Sequence, residues 1–194
     1  FRIRAFNKAQ ESRNGSDWEW WFGGPGGWIG MRVQAKVIDR NEHKYSHLHY
    51  KNKSGRQVDR LIKDAQARNL IPIYCLYTTW CNTLTKSLRN VKKLGPYDAL
   101  RKTEYGASLL SASVVQRAPT GSNDLTNFFG QMQPLRKLFC TCGSAESFLA
   151  SAIWQNAVEL NLVEQDVSRE EDRYLRSRPP LFVTQVLEGE GRGA

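Results

Sequence analysis

Two arms of alternating polarity joined by a glycine-rich turn constrain this chain more than anything else in it. The first arm is Gly15-Ser16-Asp17-Trp18-Glu19-Trp20-Trp21-Phe22 and the turn is Gly23-Gly24-Pro25-Gly26-Gly27. The second arm covers residues 28–38, with Arg32-Val33-Gln34-Ala35-Lys36 at its centre. A period of two indicates strands, and a Gly/Pro turn folds them back as a hairpin. Successive side chains of a strand point to opposite faces. Asp17 and Glu19 therefore share one face of the first arm, and Trp18, Trp20 and Phe22 the other. On the second arm Arg32, Gln34 and Lys36 share a face, opposite Val33, Ala35 and Val37. If the apolar faces enter one core, the polar faces coincide. Two carboxylates, an amide and a lysine then meet, a combination suited to holding a divalent cation and activating water. The bland counterpart is a set of cross-strand ion pairs, worth about 0.2–1 kcal/mol each.

The next elements set the sheet around this hairpin. Residues 56–69 read as a helix, because Val58, Leu61, Ile62 and Ala65 form one apolar stripe. Gln57 and Asp59 fall in its first turn, where Asp59 suits the helix dipole. Ile71-Pro72-Ile73-Tyr74-Cys75-Leu76-Tyr77 is a continuous apolar run, the pattern of a strand buried on both faces. Strand, helix, strand implies a right-handed crossover and a parallel pair beside the antiparallel hairpin. Residues 1–6 alternate and read as a short strand beside the Asp17 arm, and residues 7–14 as a polar connection. The expected fold class is α/β, with a mixed central sheet flanked by helices.

An Asp on one strand, a tight connection and Val33-Gln34-Ala35-Lys36 on the next resemble the PD-(D/E)xK nuclease core. The form it resembles most has Gln for the first Glu of the last motif, as in Mrr-type restriction endonucleases. Asn14-Gly15-Ser16-Asp17-Trp18-Glu19-Trp20-Trp21, with Gly55-Arg56-Gln57-Val58-Asp59-Arg60-Leu61-Ile62 downstream, is also similar to an uncharacterised bacterial family of that superfamily. The resemblance covers residues 1–80 as a nuclease-like core. It implies a restriction-endonuclease-like fold and a Mg²⁺- or Mn²⁺-dependent DNA endonuclease acting in restriction, phage defence or as a toxin effector. It further implies that Asp17, the Gln34 amide oxygen and the Ala35 carbonyl hold the metal. Lys36 would lie near the attacking water and the scissile phosphate, and Glu19 would add a carboxylate or relay a proton. In that superfamily an acid on a helix before the first strand often completes the site. Here that helix would lie upstream of Phe1, and Glu11 is a poor substitute by position. A start at Phe1 without Met leads to the expectation of a fragment or processed product. The alternative is a nucleic-acid-binding or partner-binding module that keeps the fold without the chemistry, a reading favoured by Gln34 and the missing acid.

Charge points the same way. The 194 residues carry 28 Lys and Arg against 19 Asp and Glu, a net charge of +9, which favours a polyanionic partner such as DNA. Arg56, Arg60 and Lys63 on the helix, with Lys51 and Lys53 in the segment before it, are the expected phosphate contacts. Tyr45 and Tyr50 in that segment could add stacking surfaces. His43, His47 and His49 also lie there without a cysteine or carboxylate at ligand spacing, which suits a basic surface better than a metal centre. The tryptophans read as packing residues. Cys75, Cys81, Cys140 and Cys142 make only a loose approximation to a zinc framework, and thiols in a reducing cytosol fit them better. No apolar run reaches the roughly 18–20 residues of a membrane span, and no secretory leader is evident, so a cytoplasmic protein is expected.

Residues 81–194 read as a mainly helical remainder packed on the same domain. Helices are expected at 83–93, 97–117 and 146–162, a loop at 118–123, and a helix start at Asp124 or Thr126. A last strand is expected near 181–187, followed by a disordered Gly-rich tail. A homodimer or a partner protein is possible on mechanistic grounds, since cutting both strands of a duplex favours two sites.

Overall fold

The structure is a computed structural model that describes residues 1–24, 27–81, 88, 105–139, 149–164, 170–176 and 178–179. Its centre is one mixed six-stranded sheet in the order β1-β2-β3-β6-β7-β8. The strands are β1 (Arg2–Ala5), β2 (Trp18–Gly24), β3 (Gly27–Val37), β6 (Ile71–Tyr77), β7 (Ala107–Ser111) and β8 (Gln133–Pro134). A separate two-stranded ribbon joins β4 (Lys51–Asn52) to β5 (Gly55–Arg56). β1, β2 and β3 are antiparallel neighbours, and β6 lies parallel to β3 after the crossover helix α2 (Gln57–Gln66). These strands and the crossover are the ones the sequence pattern implies.

The hairpin register follows from its turn. Gly24 faces Gly27, and Gly23 has a φ of 147° with the Gly27 carbonyl so close that a Cβ could not fit. Glycine is required there.

Alternation holds along β2 and β3, but neither face is left to solvent. Trp20, Phe22, Met31, Val33 and Ile73 pack under α5 (Leu149–Glu159), whose Ile153 and Trp154 are fully buried with them. Tyr74, Leu76 and Leu110 face the other way, onto Val58 and Leu61 of α2 and Val115 of α3 (Ala112–Arg117). Sealing apolar surface on both sides, at about 25 cal/mol per Å², makes this sheet the centre of the chain. The short helix α6 (Glu171–Leu175) closes one side, its Tyr174 ring 4.8 Å from that of Trp154.

Three expectations need correction. Residues 7–14 are not a plain connection: α1 (Lys8–Asn14) forms there, opened by a capping box between Asn7 and Gln10 and ended by Gly15 at φ 73°. Both signals are visible in the sequence. Residues 107–111 are strand β7 rather than helix, because Leu109 and Leu110 are buried on opposite faces beside β6. β7 and β8 thereby extend the central sheet beyond β6. Tyr45 is fully buried with its hydroxyl 2.7 Å from Thr78 Oγ1, so it offers no stacking surface, whereas Tyr50 is exposed. The expected helix start at Asp124 is present as the cap of α4 (Leu125–Phe128). The helix at 83–93 (Leu88 aside), the cysteines at 140 and 142, and the strand near 181–187 lie outside the described residues.

Candidate functional site

The site is made where β2 stops and β3 continues. The last backbone bond between them runs from the Asp17 amide to the Val33 carbonyl, at 2.9 Å. Beyond it the chain turns through Gly15 into α1, while β3 extends to Val37 along β6. Gly15 is held against the first turns of α2, where a Cβ would strike the Gln57 carbonyl and the Leu61 amide. The β2-side edge of β3 is thus open from Ala35 onward.

Polar side chains fill this edge. Asp17 Oδ2 accepts from the Ala35 amide at 2.6 Å and from Gln34 Nε2 at 2.7 Å. The same Nε2 donates to the Ala35 carbonyl at 3.1 Å. Gln34 Oε1 accepts from Gln57 Nε2 at 2.6 Å, and Gln57 Oε1 accepts from Lys36 Nζ at 3.0 Å. Asp17, just ahead of β2, Gln34 and Lys36 of β3 and Gln57 of α2 form one continuous relay. Burial holds the Lys36 ammonium below its ordinary pKa, and the Asp17 carboxylate offsets part of that effect.

Tyr74 lies under the relay. It is the register partner of Gln34 on β6, and its buried hydroxyl has no hydrogen-bond partner among the described residues. Burial first, then the charges of Asp17 and Asp59, push its pKa upward. The apolar run that revealed the strand gave no hint that Tyr74 would back the site.

The donor set can be compared with what a cation needs. Asp17 Oδ2 and the Ala35 carbonyl oxygen both accept from the Gln34 amide nitrogen. Turning that amide over would bring its Oε1 to them and set its Nε2 against Gln57 Nε2, so a cation there requires Gln57 to release Gln34. An all-oxygen set with a single carboxylate suits Mg²⁺, which keeps several waters. No group of three or more His, Cys, Asp or Glu side chains is gathered for a metal among the described residues. A cation here would rest on Asp17, a carbonyl and an amide.

Glu19 belongs to another cluster. Although it shares Asp17's face, it is buried beside Arg32, with Oε1 3.0 Å from Arg32 Nη1 and Oε2 accepting from Trp21 Nε1 at 3.1 Å. Arg32 also pairs with Asp64 of α2. One pleat of the strand separates Glu19 from Asp17, and Arg32 takes up its charge. Its expected part in the same chemistry therefore has no geometry behind it.

The expected phosphate contacts divide in two. Arg56 makes two bonds of 2.8 Å to Asp59 and one of 3.1 Å to the Gln116 carbonyl. Arg60 Nη1 holds Asn52 Oδ1 at 2.9 Å and the Gly55 carbonyl at 2.7 Å. Both arginines fasten the start of α2 to its surroundings. Lys51, Lys53 and Lys63 are exposed. His43 lies 3.2 Å from Cys81 Sγ, and His49 lies 3.3 Å from the Ser122 carbonyl, on separate contacts.

No helix among the described residues is long and apolar enough to cross a membrane. Neither a curated protein nor a solved structure matches the chain. A family model matches residues 1–194, and the chain belongs to that family, described as a family of unknown function (DUF6615).

Proposed function

We propose that this protein is a metal-dependent phosphodiesterase, a DNA endonuclease with a restriction-endonuclease-like core, acting in restriction, phage defence or as a toxin effector. The observation that carries the reading is the open edge of β3, where the Asp17 carboxylate, the Ala35 carbonyl and the Gln34 amide converge with Lys36 two hydrogen bonds away through Gln57. The strand order supports it, with a three-stranded antiparallel unit followed by a parallel strand across a helix. The net charge of +9 supports a polyanionic substrate.

Asp17, the Ala35 carbonyl and the Gln34 amide oxygen would hold Mg²⁺ or Mn²⁺. Such an ion supplies Lewis-acid polarisation of a phosphoryl oxygen and lowers the pKa of a coordinated water. Gln57 holds the Lys36 ammonium toward the open edge. There its charge favours the deprotonated form of a nearby water and offsets charge developing on the phosphate. Burial strengthens both effects, since a low local dielectric screens the ammonium less. Lys51, Lys53 and Lys63 would contact phosphates farther along the strand.

One observation favours the second reading, a binding module without catalysis. The relay is closed as it stands, with Gln34 Nε2 donating to both oxygens that would face a cation. Metal dependence separates the two readings. Supercoiled plasmid should be nicked with Mg²⁺ or Mn²⁺ and left intact with chelator; binding without cleavage in any divalent cation would assign the module instead. Gln34→Glu sharpens the test. It places a second carboxylate against Asp17, so one of the two should protonate or the fold should lose stability without metal. Added Mg²⁺ should then raise the variant's melting temperature more than the wild type's, because ligand binding to the folded state stabilises it. An equal response in both would remove Gln34 from the cation site.

A further inference from the structure

A second charged cavity lies on the same face of the sheet, away from the relay. It is a pocket of about 320 Å³ between β1, α1 and the end of α2, lined by Arg4, Arg13, Arg32, Arg68, Asn14 and Asp64 among others. Asp64 follows Gln57 by seven residues, so the pocket sits roughly 10 Å along α2 from the relay at 1.5 Å per residue.

Its charges do not balance. Four guanidinium groups, from Arg4, Arg13, Arg32 and Arg68, meet two carboxylates, Asp64 and the Glu19 that pairs with Arg32 and Arg4. Arg32 is the decisive member. Its side chain is only 2% exposed, yet its Nε has no hydrogen-bond partner among the described residues. An unmatched donor this deep is costly to leave unpaired, more so when charged, unless something completes it. Burial holds the Arg32 guanidinium below its ordinary pKa. Glu19 and Asp64 oppose that effect, while Arg68 and Arg4 add to it. The Phe6 ring lies 4.7 Å from the Arg32 guanidinium and 5.3 Å from that of Arg4, a cation–π contact with each.

Two surplus positive charges, a planar fork of donors and a cavity that opens to solvent describe a receptor for a tetrahedral dianion. We propose that this pocket is a phosphate-binding site, distinct from the Asp17 and Lys36 relay, that takes a terminal phosphate monoester or free phosphate. Arg13 and Arg68, both exposed, supply the outer contacts, and Arg32 fixes the floor. The site needs no metal and stands whether or not the relay cuts phosphodiesters.

Calorimetric titration of the full chain with inorganic phosphate, at constant ionic strength balanced by chloride, tests it. One saturable site is expected. Arg13→Ala and Arg68→Ala, at exposed positions, should each weaken it about tenfold, the scale of one lost charge-assisted bond. Lys36→Ala should leave phosphate affinity unchanged. Two oligonucleotides, one ending in a 5′-phosphate and one in a 5′-hydroxyl, then identify the source. Tighter binding of the phosphorylated strand that disappears in Arg68→Ala assigns the pocket to a strand end; equal binding of both assigns it to free phosphate. The proposal is overturned if phosphate does not saturate a site, or if Lys36→Ala abolishes binding while Arg13→Ala and Arg68→Ala leave it intact.

Discussion

Asp17→Ala is expected to reduce cleavage to the level seen with chelator, at any Mg²⁺ concentration that keeps the protein soluble. Among the described residues Asp17 is the single carboxylate on the open edge of β3, since Glu19 is taken up by Arg32 and Asp59 by Arg56. Removing it leaves a carbonyl and an amide, neither charged, to attract a divalent cation. It also frees the Ala35 amide and Gln34 Nε2, which both donate to Asp17 Oδ2. Asp17→Asn separates the two consequences. It keeps an acceptor for those donors, and so most of the local order, while removing the charge. Both variants should lose Mg²⁺ binding by calorimetry, and Asp17→Asn should melt closer to the wild type than Asp17→Ala does. Retained Mg²⁺ affinity in either would place the cation elsewhere.

Arg32→Ala is expected to cost about 3–5 kcal/mol of folding stability, the scale for removing one partner of a buried ion pair. Glu19 is 1% exposed and would be left buried beside Trp21 with its main counter-charge gone. Asp64 is more exposed and would recover solvation. Arg32→Met, which fills the space without a charge, should not rescue stability unless Glu19 is changed to Gln as well. The pair of changes together should cost less than the two separately, because an apolar replacement of a whole buried pair is often close to neutral. Urea unfolding at neutral pH measures all three. A loss under about 1 kcal/mol for Arg32→Ala would mean that the cluster is solvated in solution.

Alternation made the face of each residue on the hairpin legible, and Asp17, Gln34 and Lys36 do meet in one relay. What alternation could not tell was partnership along that face. Glu19 is two residues from Asp17 and has the same charge, but register sets it opposite Arg32, and the buried guanidinium takes it out of the site. Arg56 and Arg60 read as phosphate contacts because cations on a helix usually face solvent, yet Asp59 and the turn at Gly55 hold them. Gln57 stands in the first turn of α2 and in the tract that carries the family resemblance, but its bond to Lys36 shows only once α2 is packed beside β3. Strand β7 was missed because Leu109 and Leu110 sit in a stretch with Ala and Val at helical spacing, and only pairing with β6 decides the matter.

Lys36 carries the most direct test, because in the proposed site it would contribute charge without holding the cation. Cleavage of supercoiled plasmid in saturating Mg²⁺, measured for wild type and Lys36→Ala with Mg²⁺ affinity determined in parallel, separates binding from chemistry. If the proposed role of Lys36 holds, its charged form is the active one, and the wild-type rate should fall as pH rises through its pKa. Burial sets that pKa below the ordinary lysine value of about 10.4. At neutral pH Lys36→Ala should bind Mg²⁺ as the wild type does and cut at least about 10²-fold more slowly, the scale of losing one positioned electrostatic group. A Lys36→Ala variant that binds Mg²⁺ and cuts as fast as wild type would contradict the assignment of this site.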